Sequence, residues 1–365
     1  MYRFVAFDIK VFNDDITKVV FFFSSSGVIY FDRVSYCLIL LSFLAMEFIK
    51  RIIGEELSTF EKKFSEAVKS QTMLLDRIMK YIIKRKGKQL RPMFVFLSAK
   101  LHGEVNESTY RAAALVELLH TATLVHDDVV DESLERRGFF SINAIWKNKI
   151  AVLVGDYLLS KGLLLSTTNN DFEHLHILSE AVRQMSEGEL LQIEKSRKLN
   201  LKEDIYFEII RNKTASLLSS ACAVGAYSAC NDQDITAKMK LFGEKAGIAF
   251  QIKDDLFDYG KEDIGKPTGN DIKEKKLTLP LIFTLNKIAA SKRRELIYII
   301  KNENRNPVKV KLVIDTVVEA GGISYATQMM NQYRDEALSI LYEFPDGEVR
   351  KALEKLVRYT TDRKY

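Results

Sequence analysis

Residues 112–132 read AAALVELLHTATLVHDDVVDE, an apolar run that ends in a cluster of acidic side chains. The run lacks Gly and Pro and is apolar around nearly its whole circumference, which predicts a buried helix. If the helix continues through the cluster, Asp131 lies three residues after Asp128 and four after Asp127, so the three carboxylates share one face. Like charges at this spacing repel, and the helix dipole disfavours anions at the C-terminal end. The cluster therefore requires a compensating cation.

A second apolar run ends in the same way. Residues 246–253 read AGIAFQIK and lead directly into Asp254, Asp255 and Asp258. Oxygen ligands without Cys or His at metal spacing favour a hard cation, and carboxylates with room for water suit magnesium that carries substrate phosphates. A single DxxD pattern also fits a solvated acidic helix end, but the second copy favours a metal site. We expect the two helix ends to face each other across one cavity.

The composition describes a large helical domain. The chain has 365 residues, of which 47% are apolar and 28% charged, with 5 prolines. These values are typical of a soluble protein with a substantial core. The formal charge of +5 is too small and dispersed to indicate nucleic-acid binding, although it is compatible with phosphorylated small substrates. Three cysteines without CxxC spacing favour a reducing compartment, so we expect a cytoplasmic protein, with membrane association for product release left open.

Residues 1–45 differ from the remainder of the chain. Segments 19–23 and 28–31 are rich in strand formers, and residues 34–46 are largely apolar. That apolar segment is shorter than the roughly 17 to 25 residues of a membrane-spanning helix, and acidic residues before it disfavour a signal peptide. Two interpretations stay open: an extension outside the native protein, with Met46 as the natural start, or a weak membrane-surface anchor.

From Met46 onward apolar residues recur at helical spacing, and no run of alternating strands or fixed-period repeat interrupts them. Gly and Pro cluster between these segments. The pattern predicts an all-α fold in which residues 46–365 form one domain. The later predicted helices cover 108–126, 149–166, 173–195, 203–228, 235–258, 278–289, 294–301, 308–319, 322–343 and 346–361.

Basic residues accompany both acidic clusters. Lys88 and Arg91 lie at the mouth of an apolar helix over residues 93–99, where exposed amides and two cations make an anion site, or merely a solvated basic loop. Arg136 and Arg137 either bind phosphate oxygens or neutralise the first carboxylate cluster. Further cations are Lys213, Lys266 and Lys276. Two diphosphates that meet in one cavity would use all of these cations.

In these motifs the chain resembles the trans-isoprenyl diphosphate synthase family, and within it the long-chain polyprenyl synthases of the octaprenyl type. The resemblance covers residues 46–365 and implies an isoprenoid-synthase-type helical bundle around a deep central cavity, usually a homodimer. The motifs keep the family's order and read GKQLRP at 87–92, HTATLVHDDVVDE at 120–132, RRG at 136–138, VGD at 154–156, EGE at 187–189, KT at 213–214, FQIKDDLFD at 250–258, GK at 265–266 and KLTLP at 276–280.

The same resemblance implies a role for each matching residue. It implies that magnesium binding and catalysis involve Asp127, Asp128, Asp131, Asp254 and Asp255, and that Asp258 completes the second metal motif. It implies that the allylic diphosphate is bound by Arg136, Lys213, Thr214, Gln251, Lys266 and Lys276, of which Lys213 and Lys266 are also catalytic. Isopentenyl diphosphate would be bound by Lys88, Arg91, His120 and Arg137.

The expected reaction is head-to-tail condensation of isopentenyl diphosphate onto geranyl, farnesyl or geranylgeranyl diphosphate, through metal-assisted ionisation to an allylic cation. Ala122, five residues before Asp127, and Thr123 are small. If they lie along the product tunnel, they allow products longer than geranylgeranyl diphosphate; plain helix packing is the alternative. We expect a long all-trans polyprenyl diphosphate, with quinone side chains as its usual destination.

Three other functions remain alternatives. A class I terpene cyclase shares the first aspartate cluster, but it needs no second diphosphate site at Lys88 and Arg91, and its second metal motif usually carries Asn, Ser and Glu. A regulatory subunit of a heteromeric synthase usually loses aspartates that are intact here. A purely structural helical protein leaves the opposed charges unexplained.

Overall fold

The chain divides into two units, Met1–Leu44 and Ala45–Tyr365. In the first, strand β1 (Phe21–Ser24) pairs antiparallel with β2 (Gly27–Tyr30), as the β-branched and aromatic residues there favour. A computed structural model describes residues 21–24, 27–30, 33–84, 87–136, 138–196, 202–260 and 269–362, with side chains from Phe43 onward except those of Arg136 and Ser196.

Helices dominate the second unit, which confirms the all-α prediction. A two-residue hairpin, β3 (Glu135–Arg136) with β4 (Phe139–Phe140), follows the first acidic cluster. The helices are α1 Arg33–Ala67, α2 Met73–Ile83, α3 Leu90–His102, α4 Glu107–Val130, α5 Ile142–Thr168, α6 Phe172–Ser196, α7 Glu203–Ile210, a π-helical turn Arg211–Ala215, α8 Ser216–Cys230, α9 Gln233–Phe257, α10 Asn270–Lys273, α11 Leu279–Lys287, α12 Ala290–Asn302, α13 Pro307–Glu319, α14 Gly322–Tyr342 and α15 Glu348–Asp362.

Helix α4 lies in the core, where it contacts α3, α5, α6 and α8. It begins at a capping box: the Asn106 side chain accepts from the Thr109 amide, and the Thr109 hydroxyl accepts from the Asn106 amide. Its residues 112–116 are all buried, as an all-round apolar helix requires. Packing on all sides sets the orientation of α4 and therefore the position of the acidic residues at its C-terminal end.

Two glycines allow close packing at α8 and at the π-helical turn that precedes it. A Cβ on Gly225 would lie 2.3 Å from the Val95 carbonyl oxygen of α3, and a Cβ on Gly247 of α9 would lie 2.7 Å from the Ala215 Cα. Glycine at these two positions therefore allows α8 to approach α3 closely, and α9 to approach the π-helical turn that precedes α8.

Two local details differ from the sequence prediction. Helix α3 begins at Leu90 rather than at residue 93, and Pro92 stands in its third position, where the missing N–H costs no intrahelical bond. The predicted helix over 203–228 contains the π-helical turn, a feature that is frequent at functional sites.

Within the described residues, α5 alone has the length and composition of a membrane-crossing helix, and 33% of its apolar window is buried.

Candidate active site

The first acidic cluster forms the C-terminal end of α4. Asp131 is the C-cap residue, and its amide donates to the Asp127 carbonyl at 2.8 Å. Glu132 then adopts a left-handed φ of 51°, which ends the helix. Asp128 is only 4% exposed, and the Asn143 side chain of α5 donates to its backbone carbonyl at 3.1 Å. The cluster is thus held by α4 and α5 together.

The second cluster is built on a buried carboxylate at the end of α9. Tyr206 of α7 donates to one oxygen of Asp255 at 2.7 Å, and Gln251 donates to the other at 2.8 Å. Thr214 in the π-helical turn donates to Gln251 at 2.8 Å, which extends the network to a third element. Burial raises the pKa of Asp255 to about 6, although the hydrogen bonds from Tyr206 and Gln251 lower it.

A further carboxylate, that of Asp271 in α10, lies near this cluster. Both oxygens of Asp258 accept backbone amides, from Asn270 at 2.7 Å and from Asp271 at 3.0 Å. These bonds hold α10 against the end of α9 and bring Asp271 near the aspartates. Burial, with Asp255 and Asp258 nearby, raises the pKa of Asp271 to about 7.

Lys276 connects the two acidic clusters. Its ammonium lies 2.5 Å from the Glu274 carboxylate. Burial lowers the pKa of Lys276, but Glu274, Asp271 and Asp131 together raise it above its ordinary value. Asp131 belongs to α4 and Asp271 lies near the second cluster, so carboxylates of both regions stabilise the charge of one lysine.

A cavity of about 510 Å³ lies beside this site. It brings together Lys88, Arg91, His120 and Thr214 from the sequence prediction, and Asp128 lines it as well. Arg91 lies 3.7 Å from Glu117, and the Lys88 ammonium lies 5.1 Å from the centre of the Tyr359 ring. The apolar part of the lining includes Phe60, Phe64, Phe94, Leu124, Val125, Leu218 and Phe250.

The remaining predicted residues fall into three groups. Lys213 forms an ion pair with Glu189. Ala122 is fully buried and Thr123 donates to the His120 carbonyl at 2.9 Å, but neither lines the cavity, which takes Thr121 and Leu124 from the same helix. Arg137 and Lys266 lie outside the described residues, as does the side chain of Arg136.

The contacts that Tyr206, Glu189 and Asp271 make in this site follow from no sequence pattern. Tyr206 reaches Asp255 across 49 residues, and a single Tyr in an apolar segment gives no sign of such a bond. Glu189 lies within the EGE motif, to which the sequence analysis assigned no function. No local sequence pattern indicates that Asp271 lies near Asp255 and Asp258.

Comparison with known proteins assigns the chain to a family. A family model described as polyprenyl synthetase matches residues 72–317. The chain belongs to the polyprenyl synthetase family. This agrees with the resemblance seen in the motifs.

Relatives and solved structures cover most of this synthase. The all-trans-nonaprenyl-diphosphate synthase (geranyl-diphosphate specific) of Rhodobacter capsulatus is 33% identical over 314 residues, 85% of this chain and 96% of that protein. Octaprenyl diphosphate synthase of Escherichia coli (strain K12) is 31% identical over 321 residues, 87% and 99% of the two chains. A polyprenyl synthase from Caulobacter crescentus CB15, crystallised with calcium and isoprenyl diphosphate, superimposes with a TM-score of 0.81 at 32% identity, covering 87% and 98%. This synthase is a prenyltransferase that elongates prenyl chains.

The carboxylates of this synthase suit a metal ion that also binds water and phosphate oxygens, rather than one that protein side chains alone coordinate. Across the described ranges, no group of three or more His, Cys, Asp or Glu side chains is arranged to hold a metal by itself. Each cluster instead offers a few carboxylate oxygens, and such donors fit a hard divalent cation whose other ligands are water and phosphate oxygens. The donor chemistry therefore fits a metal that binds together with a diphosphate.

The raised pKa of Asp271 predicts a pH-dependent stability difference between the wild type and Asp271→Asn. The folded state binds this proton more tightly than the unfolded chain, so ionisation costs stability as pH rises from about 4 to about 7. In EDTA the variant should be more stable than the wild type by roughly 1–3 kcal/mol at pH 8, after allowance for solvent screening, and nearly equal close to pH 4. Urea denaturation at several pH values measures this, and a difference independent of pH would contradict it.

Proposed function

We propose that this synthase condenses isopentenyl diphosphate head to tail onto an allylic diphosphate, with magnesium, and releases a long all-trans polyprenyl diphosphate. The observation that carries the proposal is that carboxylates of two acidic clusters act on Lys276, while Lys88, Arg91 and His120 line a cavity that reaches the first cluster at Asp128. The first arrangement suits a metal-bound diphosphate that leaves. The second suits a diphosphate that stays on the product until the next cycle.

In the allylic half of the site, Asp127, Asp128, Asp131, Asp254 and Asp255 hold the metal. When bound, the divalent ion supplies Lewis-acid stabilisation of the departing diphosphate. Tyr206 and Gln251 fix the orientation of the Asp255 carboxylate by donating to both of its oxygens. The diphosphate itself is held by cations assigned through the family motifs, namely Arg136, Lys213, Lys266 and Lys276, with Thr214 and Gln251 at the reacting centre.

In the other half, Lys88, Arg91, His120 and Arg137 hold isopentenyl diphosphate. The cavity places Lys88, Arg91 and His120 on one lining and continues into apolar side chains such as Phe94 and Phe250. That lining excludes water from an allylic cation, which water would quench. The isopentenyl double bond attacks the cation, and the departing diphosphate accepts the proton that is then lost.

Product length tests the long-chain part of the proposal. Ala122 neighbours Val125 on α4, and Val125 lines the cavity. A phenyl ring at position 122 should fill space that the growing chain needs, so Ala122→Phe should shorten the dominant product by several isoprene units. Because Ala122 is fully buried and overpacking costs about 1–3 kcal/mol, Thr121→Phe, whose side chain lines the cavity, serves as a second variant. Unchanged product lengths in both folded variants would contradict the tunnel assignment.

We also propose a homodimer. Leu153 and Leu164 of α5 lie eleven residues apart on one helix face and are 55% and 60% exposed, with Val152 and Leu163 beside them. A second copy of the chain is the partner that the family resemblance indicates. Light scattering should give twice the 41.8 kDa chain mass for the wild type and the monomer mass for Leu153→Asp/Leu164→Asp. Val308→Asp on α13, at a position 76% exposed, is the matched control and should remain dimeric.

Three details rest on the family resemblance and the chemistry of the product. Magnesium is proposed because carboxylate and phosphate oxygens are its usual ligands. Quinone side chains are the proposed destination of the product. The proposed location is the cytoplasm, with membrane contact at product release because a long polyprenyl chain is strongly apolar.

A further inference from the structure

The EGE motif, Glu187-Gly188-Glu189, brings α6 against the π-helical turn. A Cβ on Gly188 would lie 2.9 Å from the Asn212 Cβ and 2.9 Å from the Lys213 amide nitrogen. Only glycine permits this approach without displacing the turn. The close contact sets the next side chain of α6, Glu189, directly beside Lys213.

Glu189 and Lys213 form an ion pair in a half-buried setting. Their side chains are 20% and 29% exposed, and the Gln192 side chain donates to the other oxygen of Glu189 at 3.4 Å. Glu187 differs, because its carboxylate is 56% exposed and pairs with Arg183 one helical turn earlier at 2.7 Å. The two glutamates of the motif therefore have different partners, and only Glu189 pairs with a lysine placed in the active site.

We propose that Glu189 is the internal counter-ion that the allylic diphosphate displaces from Lys213. The inference rests on the proposed function, which places Lys213 at the allylic diphosphate. A carboxylate paired with the ammonium competes with phosphate oxygens for its N–H donors, and it repels an arriving diphosphate in a partly desolvated site. Glu189 thereby limits the affinity for the allylic diphosphate, including the elongated product, and so favours its release.

The test compares Glu189→Gln with Glu187→Gln, a surface substitution in the same motif. Binding of farnesyl thiolodiphosphate, an allylic diphosphate analogue that resists ionisation, is measured by calorimetry in magnesium. Glu189→Gln should bind the analogue about tenfold more tightly than the wild type, because one opposing charge is removed while the amide keeps the shape. Glu187→Gln should match the wild type, and KM for isopentenyl diphosphate should be unchanged in both variants.

A third variant, Lys213→Gln, separates failure of this inference from failure of the proposed function. If Lys213→Gln weakens analogue binding while Glu189→Gln leaves it unchanged or weaker, the counter-ion role is wrong and the placement of Lys213 stands. If Lys213→Gln binds the analogue as the wild type does, the placement of Lys213 is wrong and the inference falls with it. An equal change in KM for isopentenyl diphosphate in Glu189→Gln would also overturn the inference, because it would indicate a general disturbance of the site.

Discussion

The double variant Asp127→Asn/Asp128→Asn should lower kcat by about a thousandfold or more while the protein stays folded. Both substitutions remove carboxylate charge at the end of α4, where the fold brings Asp131 and the second cluster onto the same lysine. Asp128 is 4% exposed, and Asn has nearly the same size as Asp, so the substitution leaves the packing around it unchanged. Steady-state turnover in saturating substrates and magnesium measures the effect.

Asp315→Asn, which removes one negative charge at an exposed position of α13, is the surface control for this double variant and should keep wild-type turnover. Circular dichroism and thermal melts establish that both proteins are folded. Magnesium dependence adds a second readout, since loss of carboxylate ligands should raise the metal concentration needed for half-maximal activity. Turnover within tenfold of the wild type in the double variant would contradict the role of the first cluster.

Lys88→Gln/Arg91→Gln should lower kcat/KM for isopentenyl diphosphate by about a thousandfold. Charge-assisted hydrogen bonds contribute about 1.5–3 kcal/mol each, and two of them amount to roughly 4 kcal/mol, or a factor of about 1,000. Both residues line the same cavity as His120, apart from the Lys276 region. Affinity for farnesyl thiolodiphosphate should therefore stay close to the wild-type value.

Lys80→Gln, which removes one positive charge from the protein surface, is the control for this second double variant. Lys80 lies on α2, is 71% exposed and pairs with Asp76 on the same helix at 2.7 Å. It should leave both kinetic constants unchanged. If Lys88→Gln/Arg91→Gln weakened the allylic analogue as much as it weakened isopentenyl diphosphate, the two halves of the site would not be separate, and the assignment of this cavity would be wrong.

The sequence carried most of the information about the helices and the aspartates. Residues 112–132 predict their own helix because they are apolar all round, and the helix spans Glu107–Val130. The spacing of Asp127, Asp128 and Asp131 then follows from helical geometry alone. Order and spacing of motifs along the chain were enough to indicate a family that the comparison confirmed.

The interactions that organise the site depend on packing between distant segments. The bond from Tyr206 to Asp255 joins α7 to α9, and no local pattern encodes which buried Tyr meets which carboxylate. The close approach at Gly188 becomes informative only when Asn212 and Lys213 are seen against it. The hairpin β3–β4 has two residues per strand, too few for any alternation to mark it.

The most direct measurement is incubation of the purified chain with farnesyl diphosphate, labelled isopentenyl diphosphate and magnesium, with product lengths separated by chromatography. The proposed function predicts a ladder that ends in one dominant product longer than geranylgeranyl diphosphate. Release of diphosphate with only cyclic or unextended products would contradict chain elongation and favour terpene cyclase chemistry. Turnover that requires a second, different chain would contradict the homodimer and identify this synthase as one subunit of a heteromer.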